Sequence, residues 1–476
     1  CTVHQTACAV GGASCSPDIR LVATRLVALI GLGFGDCGKG LFTDFLTRHW
    51  NAHTVVRFNG GAQAGHNVVL PDGRHHTFSQ FGAGTLVPGV YTVLAYPVVV
   101  HPGALLIEHA ALQRLGVHDA WGRLLIDARC RINTPFHQAG GRLREWARGS
   151  HAHGSCGVGV GETVRHGLQH PDQILRYGDL ANPARALALV GHIRHTLQAE
   201  FEDLAPQLPA ALQAEWALLA HADVEQRWLA QCQALIAACP PAAPHAIAQR
   251  LHRPGTVLLE GAQGVLLDEW CGFHPHTTWS SITTAAAQAV AADAGCTGPM
   301  THLGIVRSYL TRHGAGPLPT HDPALDALPE PHNAGDGWQG AFRRAHPDGV
   351  LLRYALAQAG PLDGLLVSHL DVFDHTPALR WCQAYTLAQP PGAGPAELTT
   401  LPIGARRDLQ HQQHLTSTLM QATPRYAPEP ITSDVAMLQH LSACSGLPVW
   451  LGSYGPTHRD VRVLQAGAAF AEKIPQ

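Results

Sequence analysis

Charge is scarce in this 476-residue sequence. Asp, Glu, Lys and Arg together make up 14% of it, and 32 basic against 35 acidic residues leave a formal net charge of −3. With no basic excess, a nucleic-acid partner is excluded. No segment reaches the roughly 18 apolar residues, free of charge, that a spanning helix needs, which excludes a membrane helix. The 12 cysteines include no C-x-x-C pair and are scattered, which argues against a disulfide framework and for buried or free thiols in a reducing compartment. The opening CTVHQTACAVGGASCSPDIR has no basic stretch followed by an apolar one, so it does not read as a secretory leader. Residues 1–20 are expected to be an unstructured extension, and the cytoplasm is the default location.

What is present is apolar residues, glycine and histidine. Hydrophobic residues make up 46% of the chain, enough for a large core, and residues 21–476 are expected to form one large α/β domain. The 32 histidines are dispersed without a metal-ligand spacing and are expected mostly at the surface. Short β-branched runs recur: Leu21 to Leu32, HTVVRF, TVLAYPVVV, TVLLEGAQG, GIVRSYL, DGLLVSHLD and LPVWLGSYGP. Each reads as a strand buried on both faces. Between them lie helical patterns, among them LFTDFLTRHW and an Ala/Leu/Gln-rich helical excursion over about 182–253. Alternation of this kind predicts an α/β fold: a mostly parallel central sheet with helices on both faces, of P-loop-like nucleotide-binding architecture, with ligands at the carboxyl ends of the strands. The proline-rich pieces at Pro240–Pro244 and Pro390–Pro395 are expected to be loops.

The glycine-dense stretch after the first strand is the most informative. Gly33-Phe34-Gly35-Asp36-Cys37-Gly38-Lys39 satisfies G-x-x-x-x-G-K, but Gly40 stands where a Walker loop has the Ser or Thr that holds magnesium. A metal would have to be held otherwise, and Asp36 is the carboxylate at hand. Backbone N–H groups and Lys39 can still cradle phosphates at the start of the following helix.

GFGDCGKGLFTDFLT followed by VVRFNGGAQAGHNVVL resembles the opening of the adenylosuccinate synthetases, and LLEGAQGVLLD, TRHGAGPLPT, LDVFD and SYGP follow in the family's order. The resemblance covers the chain from about Thr24 to the C-terminal region. It implies a GTP-dependent carbon–nitrogen ligase, converting IMP, aspartate and GTP to adenylosuccinate, GDP and phosphate through a 6-phosphoryl nucleotide. By position it makes Asp36 the base and, with the Gly65 carbonyl, a ligand of Mg2+. Lys39 and His66 complete the catalytic set. GTP would be held by Gly35, Cys37, Gly38, Lys39, Gly40, Leu41, Gly65, His66, Asn67 and Arg343. Its guanine would meet His369, Leu370, Asp371, Ser453, Tyr454 and Gly455. An IMP-like 6-oxopurine nucleotide would meet Asp36, Gln63, Ala64, Gly65, His66, Ser155, Cys156, Arg165, Gln263 and Thr278. Arg165 matches an arginine that reaches the neighbouring subunit's ligand, which implies a homodimer with shared active sites. Trp338, Gln339, Gly340, Ala341, Phe342, Arg343 and Arg344 match the loop for aspartate or another amine.

The sequence departs from the family in clusters. Cys156 replaces a phosphate-binding Thr, Glu162 replaces a Pro, Cys37 replaces a Glu, His369 a Lys and Gln63 an Asn, and Trp279 is inserted after Thr278. In the amine loop, Trp338 and Gln339 replace two Thr and Ala341 replaces an Arg. Loss of a bidentate Arg–carboxylate contact weakens recognition of a dicarboxylate. Three readings therefore stand: the plain adenylosuccinate synthetase reaction, the same chemistry on a different amine or purine nucleotide, and a non-catalytic GTP-binding regulator.

Overall fold

The structure is a computed structural model and describes residues 24–333, 337–376, 378–387 and 396–465. The proposed extension at 1–20 and the Pro390–Pro395 segment lie outside the described residues. A nine-stranded sheet runs through the molecule. Its strands, numbered here in chain order, are β1 (Thr24–Gly31), β2 (Thr54–Arg57), β3 (Tyr91–Leu94), β4 (Leu124–Ile126), β5 (Gly255–Glu260), β6 (Met300–Arg307), β7 (Gly364–Ser368), β8 (Val449–Ser453) and β9 (Val461–Val463). Their spatial order is β9-β8-β7-β6-β1-β5-β2-β3-β4. Every neighbouring pair is parallel except β8–β9.

Alternation along the strands divides the core into two layers. Leu26, Ala28 and Ile30 of β1, Val257 and Leu259 of β5, and Leu365 and Val367 of β7 face one side. There they meet the helices Thr284–Asp293, Gly349–Ala359 and Asp434–Ser445 through Val290, Val350, Leu351 and Met437. Val27, Leu29, Leu258, Ile305 and Leu366 face the other, against Leu41, Phe42 and Leu46 of helix α1 (Lys39–His49). Both faces of the sheet are covered, which is why its strands read as continuous apolar runs.

A third cluster, around Phe136, Tyr177, Val190, Ile193 and Cys232, forms under the helices Pro102–Arg114, Pro135–Ala147, Pro183–Phe201 and Asp223–Ala238. Proline opens several of these helices, at Pro102, Pro135 and Pro183, where its missing N–H costs no hydrogen bond. Pro244 follows the same rule: it is the first residue of the helix Pro244–Leu251, not a loop residue. No helix among the described residues is long and apolar enough to cross a membrane.

Several histidines lie deeper than expected. His66, His76, His109, His137, His166, His302 and His346 are buried. His137, His166, His170 and His192 pack as a group, with ring centroids 4.8 to 5.7 Å apart. Burial pulls His166 down to about 4, so it packs as a neutral ring. No group of three or more His, Cys, Asp or Glu among the described residues forms a metal-holding set.

Candidate active site

The carboxyl end of β1 runs into the glycine loop, and α1 begins at Lys39. Gly38 precedes it with φ 84°, in the left-handed region, and supplies no side-chain cap, so the first N–H groups of α1 stay free for an anion. The buried Lys39 ammonium turns back to the Gly35 carbonyl and lies 3.7 Å from the Cys37 sulfur. The glycine at 40 has a steric cause: a Cβ there would sit 2.5 Å from the Asn67 carbonyl oxygen. The strand that carries His66 (His66–Val69) crosses the start of α1 at this point, which leaves no room for a Walker hydroxyl.

His66 itself is held by a residue the sequence did not single out. Its Nδ1 donates to Glu260 Oε1 at 2.7 Å, and Glu260 Oε2 accepts from the Ala83 N–H at 3.0 Å. Both side chains are buried, and Nε2 of His66 has no partner among the described residues. Burial, reinforced by Arg57, lowers His66 to about 4. The ring is therefore neutral at pH 7, with its proton on Nδ1 and a lone pair on Nε2. A carboxylate closing an otherwise apolar strand was the available sign of Glu260's role, because a buried charge requires partners.

Asp36 is partly open to the cavity, with His313 Nε2 3.5 Å from its Oδ2. Burial pushes its carboxyl up, but His313, Arg307 and Lys39 outweigh burial and hold it below the ordinary carboxylate range. The Arg307 guanidinium also donates to the Asp36 main-chain carbonyl at 3.4 Å.

The cavity these groups line has a volume of about 380 Å³. Of the nucleotide and phosphate candidates, Gly35, Asp36, Lys39, Gln63, Ala64, Gly65, His66, Asn67, Ser155, Cys156, Arg165, Gln263 and Thr278 line it. Gln263 (φ 57°) presents a buried side-chain amide with neither end hydrogen-bonded to a described residue, and Oε1 of Gln63 likewise has no partner among the described residues. Buried amides without partners call for a polar ligand. The Ser155–Cys156 loop is braced by Glu145, which accepts from the N–H groups of Gly154 and Ser155. Arg165 pairs with Glu162 at 2.8 Å and with Glu200 at 3.3 Å, and Arg144 binds the same two carboxylates. Glu162, which would repel phosphate if bare, is thus neutralised by two guanidiniums. Cys37, Gly38, Gly40 and Leu41 form the floor of the loop and are not on the cavity wall.

On the far side of the loop, the ends of β7 and β8 bring His369, Asp371, Ser453 and Tyr454 together. His369, at φ 59°, donates its N–H to Ser453 Oγ at 3.1 Å. Asp371 follows in the short turn Leu370–Asp374, where burial pushes its carboxyl up. Tyr454 is fixed by its hydroxyl on Asp434 at 2.8 Å. A Cβ on Gly38 would lie 2.9 Å from the Ser368 Cβ, so this turn abuts the phosphate loop.

The amine-loop candidates divide. Gln339 lines the cavity, while Trp338 lies over the Gly157 backbone with the Arg142 guanidinium 4.8 Å from its ring. Gly340 donates to the Gly337 carbonyl in a turn, and the Ala341 carbonyl accepts from Gly314. Phe342 packs on His313 with ring centroids 4.6 Å apart. Arg343 donates to the carbonyls of Gly314 and Gly316, and Arg344 lies 3.7 Å from Asp326. Arg343 therefore shapes the Gly314–Gly316 loop of the cavity wall.

A mostly parallel sheet covered on both faces, with a glycine loop after its first strand and Asp36, Lys39 and His66 on one cavity wall, is the frame of an α/β enzyme. The adenylosuccinate synthetase family model matches residues 28–420, and the chain belongs to that family. Its relatives include adenylosuccinate synthetases of Thioalkalivibrio sulfidiphilus, 32% identical over 93% of this chain and 99% of the relative, and of Alkalilimnicola ehrlichii, 34% identical over 92% and 98%. That of Mycobacterium leprae is 35% identical over 76% of this chain and 80% of its own. The fold is similar to that of the fully ligated Plasmodium falciparum enzyme, with a TM-score of 0.72 and 20% identity over 93% of this chain and all of that one. It also resembles a cyanophage succinoaminodeoxyadenylate synthetase, with a TM-score of 0.57 and 18% identity over 93% and 96%. The family consists of ligases, and the present chain is a GTP-dependent carbon–nitrogen ligase.

Proposed function

We propose that the protein joins the amino group of aspartate to carbon 6 of IMP, coupled to conversion of GTP to GDP and phosphate. The observation that carries this reading is the convergence of Asp36, Lys39 and His66 on one cavity wall, beside the Gln263 amide and the Gln63 amide oxygen, which have no partner among the described residues. Relatives named for this reaction cover nearly the whole chain, which favours it over a different amine or nucleotide and over a non-catalytic regulator.

Carbon 6 of IMP carries a poor leaving oxygen. Asp36, kept ionised by its cationic neighbours, takes the proton from ring nitrogen 1, and the 6-oxygen then attacks the γ-phosphorus as its bond to GDP breaks. Lys39 and the free N–H groups of α1 hold the phosphates in place. The neutral His66 ring, on the cavity wall, has its lone pair on Nε2; a phosphoryl anion beside it favours uptake of a proton from solvent there, after which it donates to the oxygens gaining charge. The amine next attacks carbon 6, the carbon–oxygen bond breaks, and phosphate leaves with the former 6-oxygen and takes up the proton the amine sheds. Asp36 and the Gly65 carbonyl supply the oxygen donors that Mg2+ prefers, and that ion would neutralise phosphate charge when bound. Asp371 is assigned to the guanine N–H groups, with Ser453, Tyr454 and Gly455 closing over the base. Arg165 is assigned to the phosphate of a second copy's nucleotide, in a homodimer. The test is phosphate release from GTP with IMP, with and without aspartate, together with the product's mass. Asp36→Asn should lower turnover by about 10²-fold or more while GTP affinity holds within a few-fold. Release that ignores IMP or aspartate, or an Asp36→Asn variant that retains full rate, overturns the reading.

A further inference from the structure

Between the phosphate loop, the guanine-side turn and the amine loop lies a buried polar cluster in which only Arg307 has a role so far, through its charge beside Asp36. Arg307 ends β6, Tyr309 follows two residues later, and Glu330 comes from the loop that leads into Trp338–Arg344. The Arg307 guanidinium binds the Glu330 carboxylate and the Tyr309 hydroxyl, and that hydroxyl donates to Glu330 Oε1 at 2.7 Å. The Arg307 and Glu330 side chains are only 4% and 6% exposed. Each member also reaches a different part of the site. Arg307 donates to the Asp36 carbonyl at 3.4 Å, and Tyr309 packs edge-on against His369 with centroids 5.9 Å apart. Glu330 accepts from the Asn333 amide at 3.0 Å, and Asn333 and the adjacent His332 line the cavity. His332 stacks on His75 at 4.0 Å, and His75 lies 3.0 Å from the Asn67 amide oxygen, next to His66.

A buried ion pair contributes little net stability compared with an apolar packing of the same volume, but it enforces one geometry, since any other leaves a charge unpaired. From this arrangement, and resting on the ligase reading above, we propose that Arg307, Tyr309 and Glu330 form a positioning junction. It sets the amine loop against the Asp36 loop and the guanine-side turn. None of the three is a catalytic residue; they fix the distance between the amine and the carbon it attacks, where a shift of about 1 Å can cost about 10²-fold in rate.

The test compares Tyr309→Phe, Glu330→Gln and the double variant with the full wild-type chain, using GTP, IMP and aspartate. Glu330→Gln should lower kcat/KM for aspartate at least about 10-fold while the Kd of GTP changes less than about threefold, and Glu330→Asp should recover part of the loss. The double variant should lose less than the product of the single losses, because both changes break one contact. Should Glu330→Gln fail to fold, Tyr309→Phe decides, since it removes one hydroxyl and leaves the ion pair. Hydrogen exchange at residues 328–333 is the second readout and should accelerate in Tyr309→Phe. If wild type releases no phosphate, the ligase reading falls while the exchange result still judges the junction. Unchanged exchange together with unchanged kinetic constants per folded molecule, or losses that multiply, overturns it.

Discussion

His66 Nδ1 sits 2.7 Å from Glu260 Oε1, and this single contact sets the tautomer of the imidazole, with the proton on Nδ1 and the lone pair on Nε2. It follows that Glu260→Gln, which keeps the shape but removes the charge that would stabilise an imidazolium, should reduce kcat by about 10²-fold and leave GTP affinity nearly intact. Steady-state kinetics beside GTP titration would show this. A variant with wild-type kcat would remove Glu260 from the machinery.

Guanine selectivity is assigned to Asp371. Asp371→Asn should weaken GTP relative to ATP, narrowing the preference at least about tenfold, the usual scale for one charge-assisted contact. Competition of the two nucleotides in the phosphate-release assay measures it directly, and an unchanged ratio would locate base recognition elsewhere.

Stability should fall in mild acid. His166 is buried, and its pKa drops from the ordinary 6.5 to about 4. Between these values the unfolded chain binds the proton and the folded one does not, so the contribution is complete above pH 6.5 and is lost as pH falls toward 4. For this one group the loss between pH 7 and pH 5 is about 2 kcal/mol. Urea unfolding at the two pH values should show the drop, and His166→Gln should flatten it.

The amine loop carries a sharper expectation. Ala341 stands where the family has an arginine, and Arg343 is occupied by the Gly314 and Gly316 carbonyls. Aspartate should therefore bind weakly, with a Michaelis constant in the millimolar range, about 2–5 kcal/mol short of a fully paired carboxylate. Gln339→Thr combined with Ala341→Arg should tighten it. Micromolar affinity in the unaltered protein would show that another cation has taken over the carboxylate.

Much of this was legible in the sequence. The continuous apolar runs around Leu29, Leu258 and Leu366 announced a sheet covered on both faces, because strands buried on two sides need no polar alternation. The glycine loop announced a strand–loop–helix turn, and the structure has one: β1 ends at Gly31 and α1 begins at Lys39. What stayed hidden was pairing across long separations. Glu260 meets His66 across 194 residues, and Glu330 meets Arg307 through a loop whose path no local pattern encodes. Most histidines lie at or near the surface, as expected, but which ones are buried was not legible: His137 and His166 are, and burial strips their charge so that they pack like aromatic rings.

In the proposed reaction the 6-oxygen of the purine leaves as part of phosphate. IMP labelled with ¹⁸O at carbon 6, incubated with the protein, GTP and aspartate, tests it in one measurement by mass analysis of the released phosphate. One labelled oxygen is expected in each phosphate formed with product, and none when aspartate is withheld or Asp36 is replaced by Asn. Phosphate that carries oxygen only from GTP and water, with product still forming, would contradict it.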